Sequence, residues 1–399
     1  MSVHVTKRHL SRAQKLVDKS HSNGGLASVD PARFWADNYT ALADPWSQTC
    51  PQVPLGIHMG AECAFDELSV KEEWYKLRHD EAYLLPLAQC YNDEAEEIVG
   101  RRLLNETPSN PELKWPEIKA LHDIFEAENR WEDMSYWLMP SAHTPDELAT
   151  LLDRVERRLE NLRMFMLPPD WDQAKDRITA LGGEVPSYRS QRGPVTFAMS
   201  IYGIENLIFL ILDHPDLAVR FSDLIGRAML ERARILDEEG GYIEENAPPG
   251  FYWLDDNCAM LNAEMYELFG YPILEKVFNR YSSNPDAGDR RGQHSDSDMG
   301  HLLPLLGKLE LTTVNFGPNL KVSEIREYLP KAVIHGQLAP FTFSRNEEVN
   351  IVAEFLRDFE MAREQRGLIF ATAGSINNGS RLSSMRLIMA AIQEYGRYN

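Results

Sequence analysis

Two histidines and two carboxylates fall within nine residues, Gln293-His294-Ser295-Asp296-Ser297-Asp298-Met299-Gly300-His301, directly ahead of an apolar stretch. No other part of the chain concentrates so many groups able to move protons or hold a cation. His294 and Asp296 are two apart, so on an extended strand end both side chains project to the same side. Asp298 is spaced to cap the following helix, and His301, one turn further on, reads as a packing residue. That leaves His294 and Asp296 without a core role, and they are the first candidates for catalysis. Asp255-Asp256 close the aromatic run Phe251-Tyr252-Trp253, where capping competes with a site role. If Asp256 lies near Asp296, like-charge repulsion raises one pKa and sets an acid beside a base. The same carboxylates with His294 equally suit a hard divalent cation. The spacing does not separate these uses.

Further polar residues mark the ends of other apolar runs. Asn315 follows TTV, His335-Gly336-Gln337 follow AVI, and Thr372 to Ser375 follow LIFA. Glu245, in GGYIEENAPPG, is placed at another strand end. Arg192 and Arg291 are candidates to hold an anionic substrate, with ordinary salt bridging as the competing use. Asp255, Asn315, His335, Gln337 and Ser375 join them as candidate substrate-binding residues.

These positions make sense together only if strands deliver them to one rim. Residues 1–52 are polar and broken by Gly24-Gly25 and Pro31, which predicts an arm with one short helix. Residues 53–190 read as mainly helical, and Thr144, Pro145 and Glu147 form a helix-start signature before ELATLLDRVERRL. From 191 to 399 short β-rich runs alternate with amphipathic helices. The expected strands are VTFAM (195–199), YIEE (242–245), FYWLDD (251–256), TTVNF (312–316), AVIHG (332–336) and LIFAT (368–372). This alternation predicts an α/β fold with a parallel sheet, closed as a (β/α)8 TIM-type barrel, with an N-terminal mainly helical extension. Such barrels do their chemistry at the C-terminal strand ends.

The 399 residues include 61 acidic and 41 basic side chains, a net charge of −20. That surface repels nucleic acid and anionic membrane, and a small-molecule substrate is expected. Cys50, Cys63, Cys90 and Cys258 show no C-x-x-C spacing, which excludes a disulfide framework and a thiolate zinc ribbon. There is no apolar run long enough for a membrane span and no secretory h-region, so a cytoplasmic protein is expected. G-x-G-x-x-G after a strand, G-x-S-x-G and H-E-x-x-H are all absent, against dinucleotide binding, serine hydrolysis and zincin chemistry.

Several segments together resemble the uroporphyrinogen decarboxylase superfamily. They are RGPVTFAMSIYGIENLIFLILDHPDLAVRF, DDNCAML with YPILEKVF, HSDSDMGHLLPLLGKLELTTVNFGP, IHGQLAP and MAAIQEYGRY, in family order over about residues 192–398. The resemblance implies a (β/α)8 barrel. It also implies either tetrapyrrole decarboxylation or methyl transfer with corrinoid proteins or thiol acceptors. The decarboxylase gathers its substrate's carboxylates with an arginine-rich N-terminal segment, and PQVPLGIHMGAECAFDELSV does not match it. Zinc-dependent methyltransferases of the superfamily carry H-x-C in the 293–301 loop and a second cysteine in the last strand-end loop. Here those places read His294-Ser295-Asp296 and Gly374, so both thiolates are missing. The implied enzyme is a methyltransferase taking a methyl group from a small donor to a corrinoid, carried by a partner protein, or a similar acceptor. In it Asp296 is the acid, His294 its aide and Asp256 their tuner. A lyase or decarboxylase of a small carboxylated or sugar-like compound and a noncatalytic binding subunit are the alternatives. A divalent metal and a homodimer are compatible with each.

Overall fold

In the computed structural model, which describes residues 4–398, the main sheet holds six strands in sequence order, and a separate antiparallel hairpin joins β1 (Asn129–Glu132) to β2 (Ser135–Leu138). The chain divides into two compact units, one of residues 109–294 with 301–312 and the other of residues 1–108, 295–300 and 313–399.

The first unit carries β3 (Ser190–Arg192), β4 (Phe251–Leu254) and β5 (Arg291–Ser295), paired parallel, with the last residue of β5 passing into the other unit. Parallel neighbours require long crossovers, supplied here by helices. The helix Pro215–Glu239 opens on proline at its first position and buries Ala218, Phe221, Ser222, Leu224, Ile225, Ala228 and Met229, the spacing of a core-facing stripe. Phe221 meets Phe125, Tyr202 and Phe269 edge-on or tilted, and Trp253 packs on Phe278. The helix Pro145–Leu159 begins as its sequence signature predicts: Thr144 Oγ1 accepts from the Glu147 amide at 3.2 Å, and Glu147 accepts from the His143 amide.

The second unit carries β6 (Thr313–Phe316), β7 (Val333–Leu338) and β8 (Leu368–Thr372), again parallel. Leu55 adds a parallel bridge to Phe370, with Gly56 N donating to Phe370 O and Phe370 N to Pro54 O, both at 2.8 Å. The segment around Leu55 therefore runs as a further strand beside β8, inside a region expected to be helical. Behind β7 the buried Arg357–Asp358 pair, 2.7 Å apart, holds both the amide and the carbonyl of Gln337.

Three expected elements take another form. VTFAM lies in the helix Pro194–Tyr202: its β-branched Val195 and Thr196 suggest a strand, but Gly193-Pro194 starts a helix and a buried carboxylate from elsewhere caps it. YIEE forms no strand, only a stretch ending in turns with four exposed residues, because nothing pairs with it and it buries no face. The N-terminal arm contains two helices, Lys7–Ser22 and Pro31–Ala43, rather than one. His9 anchors the first through Glu360 at 2.8 Å, and Asp30 caps the second. Among the described residues no single helix is long and apolar enough to cross a membrane.

Candidate active site

His294 is the fourth residue of β5, and Asp296 follows the end of that strand. Asp256 lies just past β4, whose Leu254 is in register with His294. Asp256 and His294 thus stand at adjacent strand ends within the first unit, and Asp296 follows two residues after His294 along the chain, in the second unit. His294 and Asp256 are half-buried and Asp296 is exposed. Two of the three residues named as catalytic candidates, Asp256 and His294, are thus brought together within one unit.

One oxygen of Asp296 has a fixed partner: the Ser375 amide, beyond β8, donates to Oδ1 at 3.0 Å. Ser375 contributes this backbone N–H. Gly374, just before it, has φ +109°, and a Cβ built there would run into Asp296 Oδ1. Gly317 is equally constrained, since a Cβ would press on the Asp296 carbonyl. A thiolate-bound zinc therefore does not fit here. The two cysteine positions hold Asp296 and Gly374, and Asp296 occupies the space that a side chain at 374 would need.

Beneath the rim, Asp255 is fully buried. Its Oδ1 accepts from the Thr196 amide at 2.8 Å at the start of the helix Pro194–Tyr202, whose own cap residue is the side-chain-less Gly193. A Cβ on Gly193 would overlap the Asp255 carboxyl. Thr196 Oγ1 in turn accepts from the Asn257 amide at 2.9 Å, which ties the Asp256 turn to the helix. Asp255 therefore positions its neighbour instead of lining the rim. Burial pushes its pKa up from 3.8 to about 6. A carboxyl whose folded pKa lies above its unfolded value costs the fold stability as it ionises, so this cost grows as pH climbs from about 4 to about 6.5. The cost reaches about 3 kcal/mol. Asp255→Asn keeps the oxygen facing Thr196 and removes the titration. Urea unfolding at a series of pH values should therefore show the variant gaining on the parent by up to about 3 kcal/mol between pH 4 and pH 7; a pH-independent difference refutes this.

The remaining candidates separate. Arg192, at the end of β3, is in register with Leu254 and stands on the same sheet face as His294. Arg291 opens β5, at the opposite end from His294, and is consumed by the carbonyls of Ser282 and Leu309 at 2.8 and 2.9 Å. Glu245 precedes β4 on an exposed turn, so the strand end that would have delivered it to the rim does not exist. Asn315 spans β7 and β8 by donating to the carbonyls of His335 and Thr372 at 2.7 and 2.8 Å. His335, on β7, is half-buried. Gln337 is fully buried, its amide nitrogen held by the carbonyls of Gly317 and Leu320. The helix Leu303–Gly307 has Leu302 at its cap, so Asp298 lies upstream of it and exposed. His301 Nε2 donates to the Leu261 carbonyl, 2.7 Å away, a structural use as expected.

His58 was not anticipated. In the strand beside β8, Val53, Leu55 and Ile57 are buried, while a Cβ on Gly56 would meet Ile369 and Ala371 on the other face. His58 shares the face of Gly56 and is exposed beyond it, in the direction in which β8 ends. The signal was present as the alternation Val53, Leu55, Ile57, Met59, hidden by Pro54 and two glycines.

The family model for uroporphyrinogen decarboxylase (URO-D) matches residues 166–395, more than half of the chain. The chain belongs to this family. The family's fold is the (β/α)8 barrel, consistent with the parallel α/β architecture and the helical N-terminal region. Among solved structures, a methyltransferase from Methanosarcina mazei superposes with a TM-score of 0.52 at 16% identity, covering 86% of this chain and 94% of its own. No curated protein matches.

Proposed function

We propose that this protein is a methyltransferase that moves a methyl group from a small donor to a corrinoid, presented by a partner protein, or to a similar nucleophilic acceptor. The observation that carries this reading is Asp296, two residues beyond His294 at the end of β5 and steadied by the Ser375 amide. Methyl transfer from an amine or ether fails without help because the departing heteroatom is a poor leaving group. As the acceptor's electron pair forms the new bond to carbon, the carbon–heteroatom pair passes to the heteroatom, which takes the proton of Asp296. In this reading His294, two residues before it on the same run, assists that transfer. Exposure of Asp296 allows it to recover a proton from solvent. Family membership and the methyltransferase neighbour support an enzyme of this broad kind.

The test is spectroscopic. The full chain is mixed with cob(I)alamin and a panel of methylated amines, methyl ethers and methoxylated aromatics. Conversion of the cob(I)alamin spectrum to that of methylcobalamin, dependent on enzyme and donor, is the expected result. A second reading, a lyase or decarboxylase of a small carboxylated compound, is favoured by the uncompensated Arg192; release of carbon dioxide with no acceptor present would replace the first reading with it.

A further inference from the structure

Arg192 is half-buried and is held unlike Arg291, Arg326 and Arg386. Arg326 donates to the carbonyls of Leu329, Pro330 and Ala332 through one nitrogen and to those of Arg366 and Gly367 through the other. Arg291 and Arg386 each spend two nitrogens on carbonyls. Arg192 makes one hydrogen bond, from Nη1 to the neutral hydroxyl of Ser200 at 3.1 Å, and no ion pair. Its Nε and Nη2 have no partner among the described residues. Scarcity is not the reason, since the chain holds 61 carboxylates.

The guanidinium is half-buried, and burial pushes its pKa down although Asp256 acts through space in the opposite sense. His122 reports the same local field: burial first, and then the charges of Arg192 and Arg232, lower its pKa against the opposing Asp123. Arg232 likewise has no ion pair; it lies over the Tyr188 ring at 4.4 Å and reaches only the Lys119 carbonyl. An electropositive spot thus stands in a chain of net charge −20, beside Asp256 and on the sheet face of His294. A half-buried charge whose remaining donors have no protein partner among the described residues is open to a ligand, and a carboxylate matches that fork with two parallel hydrogen bonds.

We propose that Arg192 is the anchor for a carboxylate on the substrate, so that the donor is a small methylated or methoxylated carboxylic acid held with its methyl-bearing atom toward Asp256 and His294. This rests on the methyl-transfer reading for the donor's reacting end, but the anchor itself can be tested without any acceptor.

Calorimetric titrations of the full chain with 4-methoxybenzoate, N-methylglycine and N,N-dimethylglycine, each against its uncharged primary amide, and with inorganic phosphate, supply the test. At least one acid should bind tenfold or more tighter than its amide, a difference worth about 1.4 kcal/mol. Arg192→Gln should erase that preference, and Arg192→Lys should keep part of it. With no ligand present, Arg192→Met should raise Tm by about 2–4 °C, because an uncompensated charge is removed. Equal binding of acids and amides, an acid preference surviving in Arg192→Gln, or tighter binding of phosphate than of every acid would overturn the proposal. So would a fall in Tm in both the Met and Gln variants, which would make the guanidinium structural. Carboxylate binding that depends on Arg192 without any cob(I)alamin methylation would instead remove the methyl-transfer reading and leave the anchor standing.

Discussion

Asp296→Asn should lower the initial rate of methyl transfer by about 10²–10⁴-fold, the range lost with a general acid, while leaving the fold intact. The asparagine retains the oxygen that the Ser375 amide bonds and the volume that Gly374 accommodates, and it loses only the transferable proton. The side chain is exposed, so thermal unfolding should move by no more than about 0.5 kcal/mol. His294→Gln should fall less far, because it disturbs the orientation of the acid and not its existence. Donors whose leaving atom is already positively charged, such as quaternary ammonium compounds, need no proton and should lose little rate in Asp296→Asn. Full activity of this variant toward neutral ethers or amines would remove Asp296 from the reaction.

The sequence made the parallel α/β fold and the three candidate residues readable for one reason: both are local. His294 and Asp296 stand two apart on one run, and Asp256 closes an aromatic strand, so period-two patterning and strand-end logic suffice to find them. The errors arise where a residue's role is set by something far off in the chain. Asp255 looks like a second rim carboxylate until the helix start at Thr196, 59 residues earlier, is seen to claim it. That same capping turns VTFAM from an expected strand into a helix. Arg291 and Glu245 look like strand-end groups only while the strand boundaries are guessed; once β5 begins at Arg291 and no strand precedes Glu245, both belong to the other end. His58 was lost because a strand interrupted by proline and glycine resembles a loop, and its partner Phe370 lies more than 300 residues away. Asn315 and Gln337 were recognised as unusual, but whether a buried amide serves a ligand or a backbone carbonyl depends on contacts that no spacing encodes.

Gly374→Ala should reduce activity nearly as far as Asp296→Asn, although no reacting group is removed. Two costs meet at this position. The backbone has φ +109°, which an L-residue adopts with a strain of about 1–3 kcal/mol. The new methyl group also takes the place of Asp296 Oδ1, and an exposed aspartate escapes by rotating its carboxyl away from the Ser375 amide. Rotation is cheap for stability but removes the acid from its position, so unfolding free energy should fall by roughly the backbone strain alone while the rate collapses. The two substitutions should therefore not multiply: in the Asp296→Asn background, Gly374→Ala should cost little further rate, giving a coupling free energy of at least about 1 kcal/mol in a double-mutant cycle of initial rates. Independent, multiplying losses would show that Gly374 acts through the backbone only. Gly374→Cys alone places sulfur against the Asp296 carboxylate, and only Asp296→Cys with Gly374→Cys clears the space for two thiolates beside His294. The double variant, titrated with zinc, should bind it with both sulfurs deprotonated, and the Gly374→Cys single variant should not.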